Sequence, residues 1–152
     1  MIKKDQYLLA ERTDFPKHVL KEVFYASDEV NYGFKINSIF FEVCYWRNSD
    51  AIHNWFVNNI TNFQYNGEKY RVEYDSLLKL YNLVSRIYTE YYFNKNSEDA
   101  ETFAQKYLPT ETGYDLFYYT NIKKTYEQLT HLTYVYSDNN ESLYYTFYYQ
   151  VL

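Results

Sequence analysis

The chain has 152 residues, 47% apolar and 23% aromatic, with a formal net charge of −5. That length supports one domain over residues 1–152, large enough to bury roughly two thirds of its surface, and the apolar fraction excludes a mainly disordered chain. The mild acidity excludes a strong electrostatic pull on nucleic acid.

The amino terminus, "MIKKDQYLLAERTDF", has two Lys and no sustained apolar run, so it does not read as a secretory signal. "DFPKHVLKEVFYA" predicts a short helix, with Asp14 as cap, Pro16 in the first turn and Val19, Leu20, Val23 and Phe24 as its apolar stripe. Gly33 marks a turn. "FKINSIFFEVCYW" predicts a strand over 34–46, too apolar on both faces to lie open to water. "NSDAIHNWFVNNI" predicts a helix capped by Asn48 or Ser49, with Ile52, Trp55, Phe56 and Ile60 on one face. Asn66-Gly67 between aromatic residues predicts a hairpin over 63–73.

"DSLLKLYNLVSRIYTEYYF" predicts an amphipathic helix with Leu77, Leu80, Tyr81, Val84 and Tyr88 inward. "NKNSEDAETFAQKYL" predicts another, opened by Asn96 or Ser97 and stopped by Pro109. The longest helix is expected in "DLFYYTNIKKTYEQLTHLTYVYS", where Ile122, Tyr126, Leu129 and Thr133 keep helical spacing. "SDNNES" is a loop. A last strand over 142–151 shows Leu143, Tyr145, Phe147, Tyr149 and Val151 on one face and is expected to pair with the strand at 34–46. The sum is an α+β fold, a small sheet packed by four to five helices.

Composition narrows the chemistry. The 22 Tyr predict many hydroxyl hydrogen bonds near the surface, because each buried ring brings a polar group that needs a partner. A single cysteine, Cys44, cannot close an internal disulfide and fits a reducing compartment. No stretch approaches the roughly 20 apolar residues of a membrane span. The expected location is the cytoplasm, with no membrane partner. Asn59-Ile60-Thr61 and Asn140-Glu141-Ser142 match the glycosylation pattern, by chance in a chain without a signal.

Catalytic apparatus is scarce. The three His, at 18, 53 and 131, are scattered and there is no Cys pair, so neither a metal nor a cofactor is expected. No Gly-x-Ser-x-Gly occurs, and three Gly cannot supply a phosphate loop. Cys44 sits mid-strand, where a thiol is buried and inert. The carboxylate pairs Asp28 with Glu29 and Asp99 with Glu101 read as solvated helix starts.

The stretch "EVCYWRNSDAIHNWFVNN" gathers the candidate binding residues Trp46, Arg47, Asn48 and His53. Arg47, Asn48 and the first free N–H groups of the following helix are a potential anion site. Trp46 and Trp55 offer stacking surfaces, and Trp, Tyr and Arg dominate protein-binding hot spots. A structural account stands beside it: Trp55 and Phe56 in the core, Trp46 over the sheet edge, Arg47 paired with Glu42 or Asp50, and His53 bonded to a backbone carbonyl. Tyr144 and Tyr148 of the last strand form a second candidate patch.

"YWRNSDAIHNWFVNN" resembles a motif of small uncharacterised proteins encoded by bacteriophages and prophages. There a strand ending in Tyr-Trp-Arg leads into a helix carrying Ile-His and Trp-Phe. The matching residues are Tyr45, Trp46, Arg47, Ile52, His53, Trp55, Phe56 and Asn58. "KYRVEYDSLLKL", "YLPTETGY" and "YYTNIKKTYEQL" extend the likeness over Glu42 to Leu129, without the Gly- and Phe-rich insertion that the family carries at Gly113. The resemblance transfers no reaction. It implies a phage-encoded, non-enzymatic protein that binds a host protein or defence complex, anti-CRISPR proteins being one example of the class.

Two alternatives stay open. Lys69 and Arg71 around Tyr70 in "YNGEKYRVEY" would suit a nucleotide- or nucleic-acid-binding protein, or an enzyme on such a substrate, using Arg47 and His53 for phosphate. A phage structural or assembly component would pair its Tyr-rich last strand with a second copy as a homodimer.

Overall fold

In the computed structural model the described residues are 4–12, 38–61, 66–137 and 144–152. They form a four-stranded antiparallel sheet packed by four α-helices, the α+β class expected. The predicted helix at 14–26, the turn at Gly33 and the loop "SDNNES" after Ser137 lie outside the described residues. Strands β1 (Asp5–Arg12), β2 (Ile39–Arg47), β3 (Tyr70–Val72) and β4 (Thr146–Val151) take the order β2-β1-β4-β3. Helices α1 (Asp50–Asn59), α2 (Tyr74–Tyr88), α3 (Ser97–Tyr107) and α4 (Leu116–Ser137) follow in chain order. Among the described residues no helix is long and apolar enough to cross a membrane.

The sheet corrects one pairing. β4 does not pair with the 34–46 strand, because β1 stands between them, bonded to β2 on one side and to β4 on the other. β1 is the central strand, and its alternate residues Gln6, Leu8, Ala10 and Arg12 all face the core. β2 runs beside it with a register shift at Leu8/Leu9 that skips Val43, a bulge that bends the strand. Trp46 and Cys44 point to the core, while Arg47 is exposed on the other side of the pleat. Burial pushes the Cys44 thiol up, which fits an inert core cysteine.

β3 pairs with β4 through Tyr70 to Val72, and Gly67 just ahead of it has φ +86°, a left-handed conformation open to glycine. The other arm of the predicted hairpin falls on 62–65, outside the described residues. β4 is flanked by β1 along its length and by β3 at Phe147–Tyr149. It is an interior strand, not the free edge that self-pairing of a homodimer would need.

Aromatic stacks run through the core and its rim. Phe56 stacks on Tyr149 at 4.0 Å between ring centres, Tyr88 on Tyr126 at 4.2 Å, and Tyr91 on Tyr119 at 3.7 Å. Some of the hydroxyls are bonded locally: Tyr118 donates to the Leu108 carbonyl at 2.8 Å, and Tyr81 meets Thr130 at 2.9 Å. α2 packs on α4 with Leu77, Leu80, Val84 and Ile87 inward, each worth about 1.5–3 kcal/mol when fully buried. The predicted run of helix to Phe93 is interrupted: Thr89–Phe93 forms a π-helical turn, which displaces Tyr91 and Tyr92 from α-helical positions.

Candidate functional site

The densest predicted stretch covers the end of β2 and the start of α1, and its residues separate by the strand's own period. Trp46 is 0% exposed; its indole Nε1 donates to Thr125 Oγ1 at 2.7 Å and its ring lies against Phe56. It is therefore neither an exposed anchor nor a stacking wall nor an edge cover, because α4 closes over it. Arg47 is exposed on the opposite side; the described ion pairs, Arg71 with Glu73 and Arg86 with Glu90, do not involve it.

Asn48 is consumed by the fold. It sits at φ +57°, where Asn is one of the tolerated residues. Its Oδ1 accepts from the Lys4 amide at 2.6 Å, and its own amide donates to the Lys4 carbonyl at 3.0 Å. The side chain that would meet an anion closes the turn between β2 and α1 instead. Ser49 is the N-cap residue but makes no side-chain cap bond. The helix start is answered by Asp50, whose carboxylate accepts from the Ala51 amide at 2.9 Å, from Thr110 Oγ1 at 2.8 and 2.9 Å, and from the Glu111 amide at 2.8 Å. An anion at this terminus would meet that carboxylate. The crevice beside it, between Ser49–Ile52 and Thr110, is about 10 Å³, room for one water.

His53 belongs to a polar network under the sheet. Gln6, 1% exposed, accepts from the Ser49 amide at 2.7 Å and donates to the Ser49 carbonyl at 3.0 Å and to Tyr149 Oη at 3.1 Å. Tyr149 Oη lies 2.8 Å from His53 Nδ1. Gln6 donates to that hydroxyl, which leaves the tyrosine's own proton available to Nδ1 of a neutral Nε2–H imidazole. A partner of His53 is thus a tyrosine. Burial and then Lys4 lower the His53 pKa below 6.5. The unfolded chain takes up this proton first as pH falls, so His53 removes stability from about pH 6.5 down to its folded pKa. In a His53→Gln variant that part of the acid limb should flatten, measured as urea midpoint against pH; an unchanged slope would assign it to other groups.

The last-strand pair also splits. Tyr144 is 51% exposed and its ring takes the Arg12 guanidinium at 5.3 Å. Tyr148 lies on the outer pleat of the sheet and donates to Glu11 Oε1 at 3.3 Å. The Lys69 ammonium is 4.5 Å from the Tyr148 ring centre and 4.4 Å from that of Phe40, which is 43% exposed. Sequence reading singled out Tyr148 and Lys69 in different motifs and missed Phe40, because only the β2-β1-β4-β3 order brings the three together.

A wider concavity of about 450 Å³ lies where the start of α3 meets the start of α4, lined by Tyr91, Glu98, Glu101, Tyr114, Asp115 and Tyr119 among others. Among the described residues no three His, Cys, Asp or Glu converge as metal ligands. No protein-family model, curated protein or solved structure matches the chain.

Proposed function

We propose that this chain is a non-enzymatic binding protein that engages a host protein or defence complex through the outer face of its sheet. The observation that carries the proposal is the Phe40–Lys69–Tyr148 cluster. It sets two aromatic rings 6.4 Å apart around one ammonium on a solvent-facing pleat, with Arg71 opposite Tyr148 across the β3–β4 pair. Aromatic side chains and arginine, here Phe40, Tyr148 and Arg71, are types enriched at interfaces. The likeness of the Tyr45–Asn58 stretch to phage and prophage proteins supports a bacterial host as the source of the partner, and inhibition of a defence system as the role.

Nucleic acid is the second reading, favoured by the same two cations beside the same two rings. The net charge of −5 weighs against it.

Affinity capture from bacterial lysate tests both. The intact chain should retain one stoichiometric host protein, and a Phe40→Ser/Lys69→Glu variant should retain at least tenfold less while melting within a few degrees of the parent. Equal capture by the variant would move the interface off this face. A nuclease-sensitive, salt-dependent capture would favour the second reading.

A further inference from the structure

We propose that the groove between α3 and α4 is a binding site for a guanidinium group, with Glu98 and Glu101 as its carboxylates and Tyr119 as a neutral hydrogen-bond partner. Three acidic side chains, Glu98, Glu101 and Asp115, line the groove and no Lys or Arg does. Asp115 is partly engaged, since its Oδ1 accepts from the Tyr118 amide at 3.0 Å and so caps α4. Glu98 and Glu101 stand three residues apart on α3, hence on one face, and no described hydrogen bond or ion pair engages their carboxylates.

The second observation is Tyr119. It is 2% exposed, and its hydroxyl is buried without a hydrogen-bond partner among the described residues. A buried orphan hydroxyl costs free energy, so one at a ligand site is explained by the ligand. After burial itself, the groups that push its pKa up, to about 12, are Glu101, Tyr91 and Tyr114, all residues of the groove wall. Tyr119 itself lines the groove beside those residues. Tyr91, placed by the π-helical turn, stacks on the Tyr119 ring at 3.7 Å and fixes its orientation. π-turns of this kind recur at functional sites.

The donor set selects the ligand. The carboxylates do not converge as metal ligands do, and a compact ion would leave part of them unmatched. A guanidinium is flat, presents five N–H donors in a fork, and stacks on aromatic faces. Two glutamates and a tyrosine hydroxyl can accept those donors, and Tyr91 and Tyr114 line the same groove.

This site lies apart from the outer sheet face. A chain that captures a host protein through Phe40 and Lys69 but ignores guanidinium leaves the first proposal standing and removes the second.

The test uses the intact chain titrated with n-butylguanidinium, n-butylammonium and the peptide acetyl-Gly-Arg-Gly-amide, followed by calorimetry and by ligand-dependent melting. The guanidinium should bind saturably and at least severalfold tighter than the ammonium. Glu98→Gln/Glu101→Gln should weaken binding at least tenfold. Tyr119→Phe should weaken it about threefold while the free variant melts no lower than the parent, because the deleted hydroxyl bonds nothing there. Binding of the peptide but not of butylguanidinium also supports the site and identifies a partner's arginine as the source. No saturable binding by either, equal binding of the ammonium, or binding indifferent to the two glutamates would overturn it.

Discussion

Gln6→Leu is expected to cost the fold about 3 kcal/mol, a large share of the 5–15 kcal/mol that ordinarily separates native from unfolded chains. Leucine keeps the volume, so little of the loss is a cavity. What disappears is the only described acceptor of the Ser49 amide, at 2.7 Å, in a buried turn. A buried N–H left unpaired costs about 1–3 kcal/mol, and each of the two further bonds, to the Ser49 carbonyl and Tyr149 Oη, contributes about 1 kcal/mol. Those two acceptors keep other partners, the His53 amide at 3.0 Å and His53 Nδ1 at 2.8 Å, which caps the penalty. Urea unfolding at constant slope gives the number. A Gln6→Leu loss under 1 kcal/mol would mean that the network is not maintained in solution.

That network also explains what the sequence conceals. The four helices α1 to α4 are legible because their apolar residues keep the 3.6 period, and α3 also opens on a cap, where Asn96 accepts from the Asp99 amide at 3.2 Å. β4 is legible because Phe147 and Tyr149 alternate with half-buried neighbours. β1 is not. Its core-facing set is Gln6, Leu8, Ala10 and Arg12, polar at both ends, so "DQYLLAER" shows no apolar alternation although it is the central strand. The fold compensates those two residues from distant elements: Gln6 through Ser49 and Tyr149, and Arg12 through Tyr145 Oη at 3.2 Å. A one-dimensional pattern cannot report a hydrogen bond across 133 or 143 positions. The same holds for the sites. Phe40, Lys69 and Tyr148 meet through sheet order, and Tyr91, Glu101 and Tyr119 meet through helix packing and a π-turn, none of which follows from local spacing.

The edge of the sheet adds a consequence for partner choice. β2 has a strand neighbour only on the β1 side among the described residues, and an edge invites another chain. At Tyr45 the Gln128 side chain of α4 occupies that edge, accepting from the Tyr45 amide at 2.9 Å and donating to its carbonyl at 3.2 Å. One carboxamide thus imitates a strand's backbone where a partner strand would dock. The proposed partner would then be steered to side chains on the outer face rather than to backbone at this end of β2.

Neighbouring residues at the end of β2 should then give opposite results on substitution. Trp46→Ala removes a fully buried indole, its bond to Thr125 and its contact with Phe56, and is expected to cost about 3–5 kcal/mol. Arg47→Ala removes an exposed side chain that forms no described ion pair, and melting should move by no more than a degree or two. The pair separates a structural role from a binding role within the Tyr45–Asn58 stretch. If Trp46→Ala abolishes partner capture only in proportion to the unfolded fraction, the tryptophan serves the fold. If Arg47→Ala lowers capture at unchanged melting temperature, the interface extends from Phe40 along the outer pleat to the end of β2. Capture and melting both unchanged for Arg47→Ala would confine the interface to the Phe40–Lys69–Tyr148 cluster, at the other end of β2. The pleat makes the contrast sharp, because one step along the strand turns a side chain from the helix layer to solvent.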